Sequence, residues 1–291
     1  MLGNRTIVVC SLVVWLGFAG AQAVPESASP QGTFEVFEVP SPQLQATREV
    51  VVYLPPGYDG AARSYPVVVL QDGQNVFSRR PFAGRLLPVP EGRSWTADLA
   101  ADRVAEAGRP VVLVAVPSTG LRAADYLPFE ITENVGTGPR AEAYVDFLAD
   151  TVLPFVRERF AIRSEPPAIA VVGSSHGGIV SLVAGFRRPD TFGFVGSLSP
   201  SLDAGDGGFE RWLDDHPASG LVVYFDVGTF ETSLSRTELQ TAIDGVVARF
   251  EALGNRAEGL VVEGAGHNEA AWAARLPGVL ARFLDELEAR D

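Results

Sequence analysis

The stretch that most constrains this chain is Ala170-Val171-Val172-Gly173-Ser174-Ser175-His176-Gly177-Gly178-Ile179-Val180. An apolar β-branched run of the kind that fills a buried strand stops at Gly-x-Ser-x-Gly, and a helical pattern begins at once. A strand that passes into a helix without a loop must reverse within one or two residues. Gly173 and Gly177 allow this by letting chain segments approach more closely than a side chain permits. Such a turn holds its central residue, Ser175, in a strained backbone conformation with the hydroxyl exposed, the arrangement of a nucleophile elbow. The helix that follows aims unpaired N–H groups and a positive dipole end at the same point, which favours negative charge developing there. Ser175 is therefore the candidate nucleophile, weighed against a purely structural Gly/Ser turn.

The rest of the chain repeats the strand-to-helix alternation. Thr33 to Val39 reads as an edge strand, and Arg48 to Leu54 as a second strand ended by Pro55-Pro56-Gly57-Tyr58. Pro66 to Leu70 and Val111 to Val116 read as buried central strands, followed by Ala168 to Val172, Phe194 to Ser199, Leu221 to Val227 and Gly259 to Val262. Helical spacing runs over Trp95 to Ala107 with Thr96 as N-cap, Arg140 to Phe160, the elbow helix to Arg187, a short segment around Trp212, Thr237 to Leu253 and Asn268 to Leu287. Phe77 to Ser94 and Pro117 to Pro139 read as long irregular loops near the site. This alternation predicts an α/β protein with a mostly parallel central sheet and helices on both faces. No internal repeat, heptad pattern or linker interrupts it, so 291 residues predict one domain over residues 33–291.

Composition excludes several functions. Hydrophobic residues make up 46% and charged residues 20%, enough apolar surface for a sizeable core. A formal net charge of -13 argues against nucleic acid or an anionic membrane surface as partner. Every basic residue is Arg, so Schiff-base and P-loop lysine chemistry are ruled out. Arg5, the apolar run Ile7 to Phe18 and Ala21-Gln22-Ala23 form a secretory signal peptide pattern over residues 1–23, with a Pro/Ser/Gln-rich leader over 24–32. The expectation is an exported protein, periplasmic or extracellular, without a stable membrane anchor after cleavage; the alternative is a retained N-terminal anchor. The single cysteine, Cys10, lies inside that segment, which leaves the mature chain no thiol for a disulfide or a metal.

A serine hydroxyl becomes a useful nucleophile only when a base takes its proton. Of three histidines, His176 adjoins Ser175 and is expected to point away from the base position, and His216, in the polar turn Asp214-Asp215-His216-Pro217, is expected to be solvated. His267, in the glycine-rich loop Gly264-Ala265-Gly266-His267-Asn268 between the last strand and the last helix, is the candidate general base. The base needs a carboxylate to fix its tautomer, and the chain order Ser, acid, His puts that carboxylate at a strand end between the two. Glu231, just beyond Leu221 to Val227, is the candidate, with Asp226 inside the strand as its rival. Asp203 and Asp206, spaced among glycines, read as solvated loop residues, with calcium as a weaker alternative. An oxyanion needs two N–H donors; the backbone of His176 supplies one, and Gln74, in the turn opened by Gly73, supplies the other.

Tyr53-Leu54-Pro55-Pro56-Gly57-Tyr58, Leu70-Gln71-Asp72-Gly73-Gln74, Gly173 to Gly178, Leu198-Ser199-Pro200-Ser201, Asp226 to Glu231 and Gly266-His267 resemble, in this order, the putative esterase family. That family includes esterase D-like enzymes, enterochelin esterase-like enzymes, feruloyl esterases and mycolyltransferases. The resemblance implies an α/β-hydrolase fold, a triad of Ser175, Glu231 and His267, and no metal or organic cofactor. Arg122-Ala123-Ala124-Asp125-Tyr126-Leu127-Pro128 is similar to the family's Arg…Tyr-x-Pro segment beside the acyl pocket, which implies Arg122 and Tyr126, with Asp72, as pocket residues. His176 departs from the small or apolar residue that relatives often carry there. The expected activity is hydrolysis of a small-molecule carboxylic ester through an acyl-enzyme. Acyl transfer to a sugar or lipid hydroxyl, and a non-catalytic binding module on the same scaffold, are the alternatives. Arg79, Arg80, Arg85, Arg93 and Arg122 either meet an anionic substrate or pair with surface acids.

Overall fold

Valine-rich runs become the central strands, because β-branched side chains fit a pleated surface that is buried on both faces. The computed structural model describes residues 29–82 and 85–291; the expected signal segment with Cys10, and the leader up to residue 28, lie outside the described residues. The strands are β1 (Thr33–Ser41), β2 (Ala46–Leu54), β3 (Val67–Gln71), β4 (Arg79–Phe82), β5 (Arg85–Pro88), β6 (Val112–Val116), β7 (Ile169–Ser174), β8 (Phe194–Leu198), β9 (Val222–Gly228) and β10 (Arg256–Val262). The helices are α1 (Ala97–Glu106), α2 (Arg122–Tyr126), α3 (Ala141–Phe147), α4 (Leu153–Arg157), α5 (His176–Arg187), α6 (Gly208–Asp215), α7 (Arg236–Ala252) and α8 (Glu269–Glu288).

An eight-stranded sheet runs in the order β1-β2-β6-β3-β7-β8-β9-β10. The β1–β2 and β2–β6 pairs are antiparallel and all the others are parallel. Alternate residues of each central strand serve different cores. In β3, Val67 and Val69 pack with apolar residues of α3, α5 and α7, while Val68 and Leu70 pack with those of α1 and α8. Each such side chain, fully buried, stabilises the fold by roughly 1.5–3 kcal/mol. Because β3, β7, β8, β9 and β10 run parallel, the loops leaving them emerge at one edge of the sheet.

Five local expectations differ from the structure. Within Phe77 to Ser94, β4 and β5 form a separate two-stranded antiparallel hairpin. Within Pro117 to Pro139, the chain forms α2 and a 3-10 turn at Thr132–Asn134. The helical stretch from Arg140 is α3 and α4 joined by a π-helical turn at Leu148–Val152, just where Pro154 removes a backbone donor from the ladder. Thr96 does precede α1, but at φ 50° and without a side-chain cap. β10 also begins three residues early: Arg256 pairs with Glu286, and Glu258 with Arg282, so its charged residues tie the edge strand to α8.

Candidate active site

The close approach at the elbow is explicit. A Cβ on Gly173 would lie 2.2 Å from the Gly177 carbonyl oxygen, so only glycine lets β7 pass into α5 in this way. Ser175, between them, sits at φ 57°, ψ -128°, a conformation that costs about 1–3 kcal/mol in a non-glycine residue. Its N–H donates to the Leu198 carbonyl at 3.1 Å, and its carbonyl accepts from Gly178 and Ile179 in the first turn of α5. The Ser175 hydroxyl lies 3.3 Å from that of Ser201, its hydrogen-bond partner in this structure.

Glu231 and His267 come together on the neighbouring loops. The Nδ1–H of His267 donates to Glu231 Oε2 at 3.0 Å. The Glu231 side chain is only 5% exposed, whereas that of His267 is 44% exposed, so the pair presents its base outward. Burial raises the Glu231 pKa, but hydrogen bonds from His267, Ser199 and the Gly228 N–H outweigh it and hold the carboxyl below its ordinary value. An ionised Glu231 fixes the proton on Nδ1 and leaves Nε2 as the acceptor. The Trp272 ring meets the imidazole edge-on, with centroids 5.0 Å apart. Asp226 lies elsewhere: it is fully buried, 2.6 Å from Arg275 Nη1 and 2.8 Å from the Tyr224 hydroxyl. It is a structural carboxylate, and of the two acids Glu231 is the one on the histidine.

The loop after β3 is pinned around one free N–H. Gly73 N–H donates to the Val116 carbonyl and Asn75 N–H to that of Asp72, while among the described residues neither Gln74 N–H nor His176 N–H has a protein acceptor. The Gln74 side chain clasps Ser118, Nε2 donating to its hydroxyl at 2.9 Å and Oε1 accepting its N–H at 2.8 Å. Gly73 is needed because a Cβ there would lie 2.8 Å from the Pro117 nitrogen.

Asp72, Arg122 and Tyr126 form one cluster. The Arg122 guanidinium forks onto Asp72, with Nε and Nη2 each 2.7 Å from an oxygen, and lies over the Tyr126 ring at 5.0 Å. The Tyr126 hydroxyl accepts the Asp72 N–H at 3.0 Å, and its ring is buried. Asp72 Oδ2 would be 3.1 Å from a Cβ on Gly177, so this ion pair lies directly behind the elbow. The charge of Arg122 is therefore matched by Asp72. Arg79 meets the Ser29 hydroxyl, Arg80 and Arg93 are exposed, and the Arg85 side chain lies outside the described residues.

Burial, reinforced by the Arg122 charge, lowers the pKa of His176, so that ring stays neutral near pH 7. His216 is not simply solvated. It stacks on Trp212 at 4.3 Å, its Nδ1–H donates to the Trp212 carbonyl, and Nε2 lies 3.4 Å from Glu142. No group of His, Cys, Asp or Glu residues able to hold a metal, Asp203 and Asp206 included, occurs among the described residues. Three residues that touch the site carried no separate reading from side-chain type: Ser199, Ser201 and Arg275. The first two stood only within a family motif, and a buried Arg on a C-terminal helix leaves no trace in a hydrophobic pattern.

An eight-stranded, mostly parallel sheet with an elbow serine at the end of β7 and an acid–histidine pair on later loops is an α/β-hydrolase. The chain belongs to the family described as Putative esterase, whose model matches residues 41–283. It is 25% identical over 172 residues to uncharacterized protein YbbA of Bacillus subtilis, covering 53% of this chain and 57% of that one. It is 29% identical over 231 residues to an endo-1,4-beta-xylanase/feruloyl esterase of Xylanibacter ruminicola, covering 76% of this chain but 27% of that one. The chain thus spans little more than half of the first relative and about a quarter of the second. An IroE-like serine hydrolase from Shewanella oneidensis has the same fold, with a TM-score of 0.68 at 19% identity over 87% of this chain and 81% of that one.

Proposed function

We propose that this chain is an exported serine hydrolase that cleaves small-molecule carboxylic esters through Ser175, His267 and Glu231. The observation that carries the reading is the Glu231–His267 hydrogen bond, held on loops that leave the same sheet edge as the strained Ser175 elbow. With substrate present, the Ser175 hydroxyl leaves Ser201 and turns its proton toward His267 Nε2; catalytic hydrogen bonds often tighten only in the complex. Ser175 Oγ attacks the ester carbonyl carbon as Nε2 takes the proton. The carbonyl oxygen becomes an oxyanion held by the free N–H groups of His176 and Gln74 at the positive end of α5. The imidazolium, stabilised by Glu231, returns the proton to the departing alcohol and leaves an acyl group on Ser175. Water, deprotonated by the same imidazole, attacks that acyl group; the bond to Ser175 Oγ breaks, Nε2 returns the proton to Oγ, and the acid is freed.

Asp72, Arg122 and Tyr126 border this reaction. Their ion pair is internally matched, which suits a neutral ester better than an anionic one. Export rests on the pattern Arg5, Ile7 to Phe18 and Ala21-Gln22-Ala23, and the mass of the secreted protein tests it, a mature N-terminus at Val24 being expected. The test of function is hydrolysis of p-nitrophenyl esters from acetyl to decanoyl by the parent and by Ser175→Ala. Turnover in the parent that disappears in the folded variant is expected; equal turnover in both contradicts the assignment.

A further inference from the structure

α8 begins two residues after His267 and carries Trp272 and Arg275 three residues apart, on one face of the helix. Both are buried, and both reach Ser199, the residue that follows β8. Trp272 Nε1 donates to Ser199 Oγ at 3.0 Å, and Arg275 Nη2 donates to the same oxygen at 3.1 Å. An indole N–H and a guanidinium can only donate. With two donors arriving, the single hydroxyl hydrogen of Ser199 leaves in the remaining direction, to Glu231 Oε1 at 2.7 Å. The backbone supports this aim: Ser199 sits at φ 45°, with its N–H bound to the Asp226 carbonyl at 2.8 Å.

Arg275 is fixed in turn. Nη1 meets Asp226 at 2.6 Å, Nε donates to the Ala271 carbonyl at 3.0 Å, and Nη2 also lies 3.5 Å from Glu231 Oε1. The Gly228 N–H adds a bond to Oε1 at 2.9 Å. Oε1 is thus occupied by donors, and Oε2 remains for His267. The titratable groups facing the pair are Arg275, with Asp226 behind it, and His176 from α5. With both carboxylates ionised and Arg275 charged, the buried cluster carries one net negative charge, which an imidazolium at His267 cancels.

We propose that Trp272, Arg275 and Ser199 form a one-way hydrogen-bond relay that keeps Glu231 ionised and turned toward His267, so that Ser199 and Arg275 are positioning residues for the base. This rests on the ester-hydrolase reading for the reaction served, while the relay has a test of its own. Two variants break it. Ser199→Ala removes the donor to Glu231, and Asp226→Asn with Arg275→Met removes the cation without stranding a buried charge. Each is compared with the parent by the pH profile of p-nitrophenyl acetate hydrolysis and by NMR titration of the three histidine rings. A lost hydrogen bond to a charged group is expected to lower kcat by about 10- to 100-fold with KM little changed. Loss of donors makes Glu231 more basic and the imidazolium easier to form. The acid limb of kcat/KM is expected to move to higher pH, and the proton affinity of His267 to rise by about threefold or more.

Folded variants in which His267 titrates as in the parent overturn the relay, whether or not kcat falls, because a merely structural role leaves that titration unmoved. If the parent hydrolyses no ester, or Ser175→Ala keeps the activity, the assigned reaction fails, and the histidine titration still decides the relay.

Discussion

Gly228→Ala tests how tightly the acid and base loops are locked together. Gly228 ends β9 and lies under the loop that carries His267. A Cβ there would be 2.2 Å from the Ala265 carbonyl oxygen and 2.6 Å from Glu231 Oε1, whereas ordinary contact begins at 3.4 Å. The two loops must therefore separate by about 1 Å for the methyl group to fit. Neither yields freely. The Ala265 carbonyl accepts the Phe230 N–H at 3.0 Å, Thr229 N–H donates to the Val262 carbonyl at 3.0 Å, and Gly264 N–H donates to the Thr229 hydroxyl at 2.9 Å. Overpacking of this kind costs about 1–3 kcal/mol of stability. A displacement of about 1 Å between catalytic groups costs on the order of 100-fold in rate. Urea unfolding followed by circular dichroism, and kcat/KM on p-nitrophenyl acetate, read the two effects separately. Gly245→Ala is the control: it lies in α7 with nothing within 4 Å of the added Cβ, and Ala there stabilises the helix by about 0.5–1 kcal/mol at unchanged activity. A Gly228→Ala protein with parental stability and parental kcat/KM refutes the reasoning.

Glu231→Gln keeps the shape of the side chain but removes its charge; kcat is expected to fall by about 10³- to 10⁴-fold with KM little altered, and a loss under tenfold contradicts Glu231 as the acid. The same carboxyl sets a pH dependence of stability. Its pKa is lowered on folding, so its contribution is full above the ordinary glutamate value of about 4.3 and is lost as pH falls through the lower folded value. The gap in urea midpoint between parent and Glu231→Gln should therefore shrink from about pH 6 to about pH 3, and a gap constant over that range would count against it. Arg122→Ala strands the Asp72 carboxylate behind the elbow, where it opposes the forming oxyanion. It should lower kcat, and the added Asp72→Asn should restore part of the loss; no recovery in the folded double variant would separate the ion pair from catalysis.

The sheet was legible because β3, β6 and the first four residues of β7 are, but for Gln71, all Val, Leu, Ile and Ala, and burial on both faces requires such runs. The elbow was legible for a related reason: only Gly at position 173 fits the close approach that the structure shows, and a side chain at position 177 would crowd Asp72 and Gln71. Glu231 could be ranked above Asp226 because it lies past the strand end, where a side chain reaches a neighbouring loop. The hairpin β4–β5 escaped because Arg and Pro dominate one of its strands. The start of β10 escaped because its charged residues pair with α8 rather than follow an apolar alternation. His216 was misread because its partner Trp212, one helical turn earlier, turns a polar Asp-Asp-His-Pro segment into a stacked contact. The Ser199–Arg275 relay was out of reach, since it joins positions 76 residues apart through side-chain direction alone.

The central claim is that Ser175 is the nucleophile. The most direct measurement is peptide-level mass spectrometry after treatment with a fluorophosphonate, on the parent and on Ser175→Ala and His267→Ala. One phosphonyl group on the peptide containing Ser175 is predicted for the parent, absent from Ser175→Ala and strongly slowed in His267→Ala. Ester hydrolysis by a parent protein whose Ser175 stays unmodified, or a label on another residue, would contradict the account.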